Sequence, residues 1–228
     1  MRERVRGRPL VEPKIPDIDF IDFGCGDGGS VSFASSVVRG QGIAIDISED
    51  AVLACSAKGI LATQGDILAF DKKNVSLATF AIDVLPEMPG RVAFERALAN
   101  VVAAARNFAV LQHSYFDADV ELAARGYRVD GNFGKKVLYK PTIADYLNFA
   151  ERHHEALSIS GVGILASGSA PVSPRTAVHQ PEADAGTKTA PEVRRWLRVI
   201  IGRKETSRFR DAIKRAGSGD MLFMWERG

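Results

Sequence analysis

The run from Ile18 to Ser30 constrains this chain more than any other stretch. A short apolar segment, broken by Asp19 and Asp22, enters a turn with glycine at positions 24, 26, 28 and 29. The residues that follow, Ser30 to Val38, are compatible with a helix. Strand, tight turn and helix in that order bring backbone N–H groups up to a ligand. Gly24, Gly26 and Gly28 lack the Cβ atoms that would block close approach or disfavour positive φ. Gly24, Gly26 and Gly29 also satisfy G-x-G-x-x-G, the dinucleotide fingerprint. The glycines alone therefore leave two ligand classes open.

The rest of the chain narrows the class. Its 228 residues are enough for one α/β domain with a large core. A formal net charge of +2 is too small to imply a nucleic-acid binder, and two cysteines, Cys25 and Cys55, exclude a disulfide framework. They also give no metal-binding C-x-x-C spacing, so no metal is expected and a reduced, cytoplasmic setting is. No apolar run approaches the ~20 residues of a membrane span. Residues 1–15 carry Arg2, Arg4, Arg6, Arg8 and Lys14 among prolines and read as a basic arm. Residues 16–228 read as a single domain, with a Ser-, Pro- and Ala-rich mobile loop at 167–191.

Taken in order, a helix over about 29–39 stops near Gly40 and Gly42. Gly42 to Ser48 reads as a buried parallel strand carrying Asp46 at its carboxyl end, roughly 20 residues after the glycines. A βαβ unit produces that spacing, and an acid there can accept hydrogen bonds from both ribose hydroxyls. The alternative role for Asp46, a helix N-cap, suits Ser48 better for the helix at about 49–58. Ile60 to Ile67 reads as a third strand ending in Gly65-Asp66. Leu77 to Pro89 reads as a fourth strand and its following loop, with Asp83 and Glu87. After a helix at about 90–105, Phe108 to Tyr115 forms a fifth strand ending in His113, Ser114 and Tyr115. Ligands of open parallel sheets sit beyond the carboxyl ends of the strands, so substrate-facing polar groups belong there.

Further on, Asp117 to Arg125 and Thr142 to His154 have helical spacing, and Tyr127 to Tyr139 suits a hairpin or lid. A sixth strand falls at 157–165, or alternatively at 127–130. Glu192 to Ala216 carries nine basic residues and reads as one or two helices with a solvated arginine face. Met221 to Trp225 reads as the last strand.

Asp22, two residues before Gly24, tips the ligand choice. Asp22, Gly24, Cys25, Gly26 and Gly28 match, position by position, the first motif of the class I S-adenosylmethionine (SAM)-dependent methyltransferases, which the chain resembles. The resemblance implies a Rossmann-like α/β fold: a seven-stranded, mostly parallel sheet, helices on both faces and an antiparallel last strand. It implies SAM as cofactor, held by the first motif together with Asp46 and Ile47, with Asp46 on the ribose. Asp66 would accept from the adenine amino group, and Ile67 would pack on the ring. Asp83 is either an anchor for the methionine end of SAM or a rival base. Many relatives carry Leu-Glu-His after the fourth strand; here Leu85-Pro86-Glu87-Met88 lacks the histidine.

Methyl transfer from a sulfonium is an in-line displacement, and a hydroxyl acceptor must also lose a proton. His113 is the preferred base because its ordinary pKa of about 6.5 suits proton removal near neutrality. Asp83 and Glu87 are its rivals. Signatures of metal-assisted, cysteine-based and amino-group methylation on bases are absent. These points lead to O-methylation of a small-molecule hydroxyl, such as a sugar or other metabolite. Three alternatives stand: an NAD-dependent oxidoreductase, a catalytically inactive SAM-binding partner protein, and a nucleic-acid methyltransferase. No membrane partner is expected, and the oligomeric state is open.

Overall fold

The computed structural model describes residues 18–124, 128–129, 137–168, 192–193, 195–204, 206–216 and 220–226. In chain order the elements are β1 (Ile18–Phe23), α1 (Gly29–Val38), β2 (Gly42–Asp46), α2 (Glu49–Ala57), β3 (Ala62–Gln64) and β4 (Ser76–Ile82). A 3-10 turn (Leu85–Glu87) leads to α3 (Arg91–Ala104), β5 (Ala105–Ser114), a second 3-10 turn (Phe116–Ala118) and α4 (Asp119–Ala124). Then come β6 (Arg128–Val129), α5 (Ile143–His153), β7 (Ile159–Gly168), β8 (Glu192–Val193), β9 (Arg195–Arg203), α6 (Thr206–Ala216) and β10 (Asp220–Glu226).

Eight strands form the main sheet, in the order β10-β7-β9-β5-β4-β1-β2-β3. β3, β2, β1, β4 and β5 run parallel. β9 is antiparallel to both β5 and β7, and β10 is antiparallel to β7. Six strands therefore run one way and two the other. The last strand is antiparallel, as expected, and β9, inserted between β5 and β7, raises the expected seven strands to eight.

Parallel strands carry helices on both faces, so their side chains are apolar on both sides. Ile21 and Phe23 of β1 enter one core with Phe94, Leu98 and Val101 of α3 and Tyr146 and Phe149 of α5. Phe20 of β1 enters the other, with Val31, Ala34 and Val37 of α1 and Ile213 of α6. Local sequence sets the helix starts. Ser48 caps α2 by accepting from the Ala51 N–H, and Thr142 and Asp145 form a reciprocal capping box on α5.

The largest correction falls at 192–216. The expected helices give way to a strand at 195–203, and only 206–216 is helical. Leu197, Val199 and Ile201 point into one core and Ile200 into the other. That is the signature of a strand buried on both faces, and β-branched residues favour it. Arg198 and Arg203 are accordingly buried, not solvated. The sixth strand is Ile159–Gly168, whereas 128–129 pairs in parallel with 192–193 in a separate two-stranded sheet. The third strand is confined to Ala62–Gln64, inside the expected 60–67. The basic arm at 1–15, residues 130–136 of the expected hairpin or lid and residues 169–191 of the expected loop lie outside the described residues. No helix among the described residues is long and apolar enough to cross a membrane.

Candidate functional site

β1 ends in the glycine turn, and the turn is held from three sides. The Gly24 N–H donates to the Ile45 carbonyl at 2.8 Å, tying the turn to β2. The Gly26 N–H donates to Asp46 Oδ2, and the Ser48 N–H to Asp46 Oδ1, both at 2.9 Å. Ser30 Oγ donates to Asp22 Oδ2 at 2.5 Å, which locks the start of α1 onto the end of β1. Gly24 and Gly26 both have φ in the left-handed region, at +68° and +52°. A Cβ on Gly24 would stand 2.5 Å from Val84 Cγ2, so glycine there lets the segment after β4 close over the turn. A Cβ on Gly26 would meet nothing within 4 Å: that side of the turn is open.

The opening is a cavity of about 470 Å³, the size of an ordinary small-molecule site. It lies at the carboxyl ends of β1, β2 and β4. Of the residues singled out in the sequence, Gly24, Gly26, Asp46, Ile47, Asp66, Ile67 and Glu87 line it. Ile47 is 68% exposed, an apolar side chain left without a protein surface to cover it. Ile67 is buried across from it, and Asp66 Oδ1 accepts from the Leu68 N–H at 2.8 Å. Val84, Met88 and Pro89, from the segment after the fourth strand, also line the wall, although none of them was singled out as a site residue. The carbonyl of Pro86 accepts from Leu138 N–H at 2.8 Å and Tyr139 N–H at 3.1 Å, a pairing between distant segments with no local signal.

The remaining candidates sit behind the cavity wall. Asp22 is fully buried beside α1, and Cys25 faces Cys55 with the sulfurs 3.5 Å apart. Burial, reinforced by Cys55, pushes the Cys25 thiol up, so it is an unreactive apolar side chain. Asp83 is half-buried just past β4, with φ at +58° and its N–H on the Gln112 carbonyl at 2.7 Å. A non-glycine residue in that region costs roughly 1–2 kcal/mol, and such strain clusters at functional sites.

His113 departs most from expectation. The expected substrate-facing base is 1% exposed and does not line the cavity. Its ring stacks between Phe116 and Tyr146 at 5.3 and 5.7 Å. The Ser114 carbonyl, 2.7 Å from Nδ1, can only accept, so Nδ1 carries the proton. Nε2 then accepts from Tyr146 O–H at 2.7 Å. Burial pushes the imidazole down to about 4, so it is neutral near pH 7. Nδ1 is engaged within β5 itself, and Nε2 holds β5 to α5. Among the described residues no cluster of His, Cys, Asp or Glu side chains is placed to hold a metal ion.

Comparison with known proteins agrees with this fold. Residues 12–91 match the family model described as methionine biosynthesis protein MetW, about a third of the chain. No curated protein matches significantly. Among solved structures, magnesium protoporphyrin IX methyltransferase (ChlM) from Synechocystis PCC 6803 with bound S-adenosylhomocysteine (SAH) has a TM-score of 0.51 at 16% identity, over 84% of this chain and 76% of that one. A SAM-dependent methyltransferase from Archaeoglobus fulgidus reaches 0.55 at 12% identity, over 82% and 87%. The N-methyltransferase NodS from Bradyrhizobium japonicum WM9, with bound SAH, gives 0.52 at 12% identity, over 83% and 80%. The chain thus has the Rossmann-like α/β fold of the class I SAM-dependent methyltransferases.

Proposed function

We propose that the chain is a SAM-dependent methyltransferase that methylates an oxygen of a small molecule. The observation that carries the reading is the cavity formed by an open glycine turn and two acids at strand ends. The space beside Gly26, which any side chain would fill, fits a ligand brought close to the backbone. Asp46 would take the ribose hydroxyls, Asp66 the adenine amino group, and Ile47 and Ile67 the faces of the ring. When bound, SAM supplies an electrophilic methyl group on its sulfonium. The acids suit its two hydroxyls and amino group, and the apolar side chains suit the base.

On the acceptor side, Glu87 is the carboxylate in the cavity wall after β4. It takes the proton of an acceptor hydroxyl as the oxygen is methylated, the role first assigned to His113. Asp83 orients the methionine end from the strained position after β4. A small-molecule acceptor is supported by a neighbour in fold, the magnesium protoporphyrin IX methyltransferase, whose name gives one.

The test incubates the chain with methyl-labelled SAM and a fractionated cell extract. The expected label is an O-methyl group in the small-molecule fraction. Glu87→Gln should cut turnover by about 10²–10⁴-fold with SAH affinity unchanged, the usual range for a lost general base. Label found only in RNA, DNA or protein would overturn the acceptor class. Full turnover in Glu87→Gln would overturn the role of Glu87.

A further inference from the structure

β9 buries two arginines and uses them differently. Arg203, 5% exposed, donates to the carbonyls of Leu157, Val102, Ala103 and Ala105 and to Asn74 Oδ1. Three of those carbonyls close the end of α3, where helical C=O groups lack partners. A structural use accounts for its charge.

Arg198 sits earlier on the same strand and is 6% exposed. Its one hydrogen-bond acceptor among the described residues is Gln112 Oε1, which takes Nε at 2.9 Å and also Nη2. The rings of Phe33 and Trp196 lie over the guanidinium at 4.5 and 4.4 Å. Burial lowers its pKa to about 10, with no carboxylate among the described residues to offset it, so it is still cationic near pH 7. A desolvated cation without a counter-anion is costly. Gln112 covers the Nε–Nη2 edge. Among the described residues no second hydrogen-bond acceptor meets the other edge, Nη1 with Nη2. Two parallel N–H groups in one plane match a carboxylate.

Position gives this edge a purpose. Ile82, Gln112 and Arg198 are cross-strand neighbours in one row at the carboxyl ends of β4 and β5. Three strand spacings, about 14 Å, separate β9 from β1 and its glycine turn. An acceptor reaching the cavity across β4 and β5 would pass Gln112. We propose that the second edge of Arg198 binds a carboxylate carried by the methyl acceptor, which makes the acceptor a small organic acid. The term "acceptor" here rests on the methyl-transfer reading above.

The test follows the Arg198 Nε–H signal in nitrogen–proton correlation spectra of the full chain, identified by its loss in Arg198→Lys. Sodium formate, acetate and benzoate are titrated against sodium chloride, and against formamide, acetamide and benzamide. The expected result is a saturable shift with the carboxylates at concentrations at least ten-fold below any chloride effect, and none with the amides. The shift should persist with SAH bound, because cofactor and acceptor occupy different parts of the site. Carboxylate shifts no larger than those with chloride overturn the anion site. Loss of the response when SAH binds overturns its assignment to the acceptor. Calorimetry with SAH on the same sample separates the two readings. SAH binding without a carboxylate response sinks the Arg198 site alone, and a carboxylate response without SAH binding keeps the site and sinks methyl transfer.

Discussion

The two sides of β4 treat their polar groups in opposite ways. On the β1–β3 side, the strand ends leave polar groups at the cavity: the Gly24–Gly26 backbone, Asp46 and Asp66. On the β5–β9 side they are withdrawn. His113 is locked to Tyr146, Arg203 sits among carbonyls, and Arg198 lies under two aromatic rings. The contrast separates two tasks. A site built from backbone and short acids is rigid and suits one fixed ligand. A side whose charges are spent on packing keeps few groups for its ligand, so those few decide what binds.

Substitution in the glycine turn tests the first half of that contrast most severely. Gly26→Val should remove detectable SAH binding, a loss of at least about 100-fold, because the side chain projects into the space the backbone leaves for the ligand. The chain should still fold, since no atom lies within 4 Å of the new Cβ and the positive φ costs only roughly 1–2 kcal/mol. Calorimetry and a thermal melt on the same sample check both statements. Gly24→Val is the harsher control, for its Cβ would strike Val84 and should depress the melt itself. Wild-type SAH affinity in folded Gly26→Val would show that the cavity is not the cofactor site.

Asp46 comes next in size. Asp46→Ala should weaken SAH binding by about 1–3 kcal/mol, the scale of hydrogen bonds to a charged group. The carboxylate also accepts from Gly26 and Ser48, so stability should fall by about 1–2 kcal/mol as both N–H groups lose their partner. A stability loss with unchanged SAH affinity would make Asp46 a brace for the turn and nothing more.

These two residues were legible because their signals are local. A glycine turn after an apolar run, then an acid about 20 residues on, is a pattern a βαβ unit imposes within one short stretch. β9 was not legible in the same way. Arg194, Arg195 and Arg198 suggested a helical face, while Val199-Ile200-Ile201, the β-branched run that belongs to a strand buried on both sides, carried the stronger signal. Its insertion between β5 and β7 depends on pairings with two strands distant in sequence, which no short window contains. His113 failed for the same reason. Strand-end position predicted a substrate-facing group, but Tyr146, 33 residues away, and Phe116 close over the ring.

His113 therefore offers the finest test of the contrast, through pH. Its folded pKa of about 4 lies below the ordinary 6.5, because burial disfavours the imidazolium. Above pH 6.5 the ring is neutral in both states and the buried arrangement is intact. As pH falls from 6.5 towards 4, the unfolded chain binds a proton that the folded ring refuses. Stability should then drop by up to about 1.4 kcal/mol per pH unit from this group. In His113→Gln that component should vanish, and the melting temperature should depend less on pH across this window than in the wild type. At pH 7.5 the variant should lose some stability but keep turnover within a few-fold, because the ring touches Tyr146 and the Ser114 carbonyl and not the cavity. A loss of 10²-fold or more in turnover with an unchanged melt would return His113 to the chemistry, and the β5 side would no longer be the one whose polar groups serve the fold.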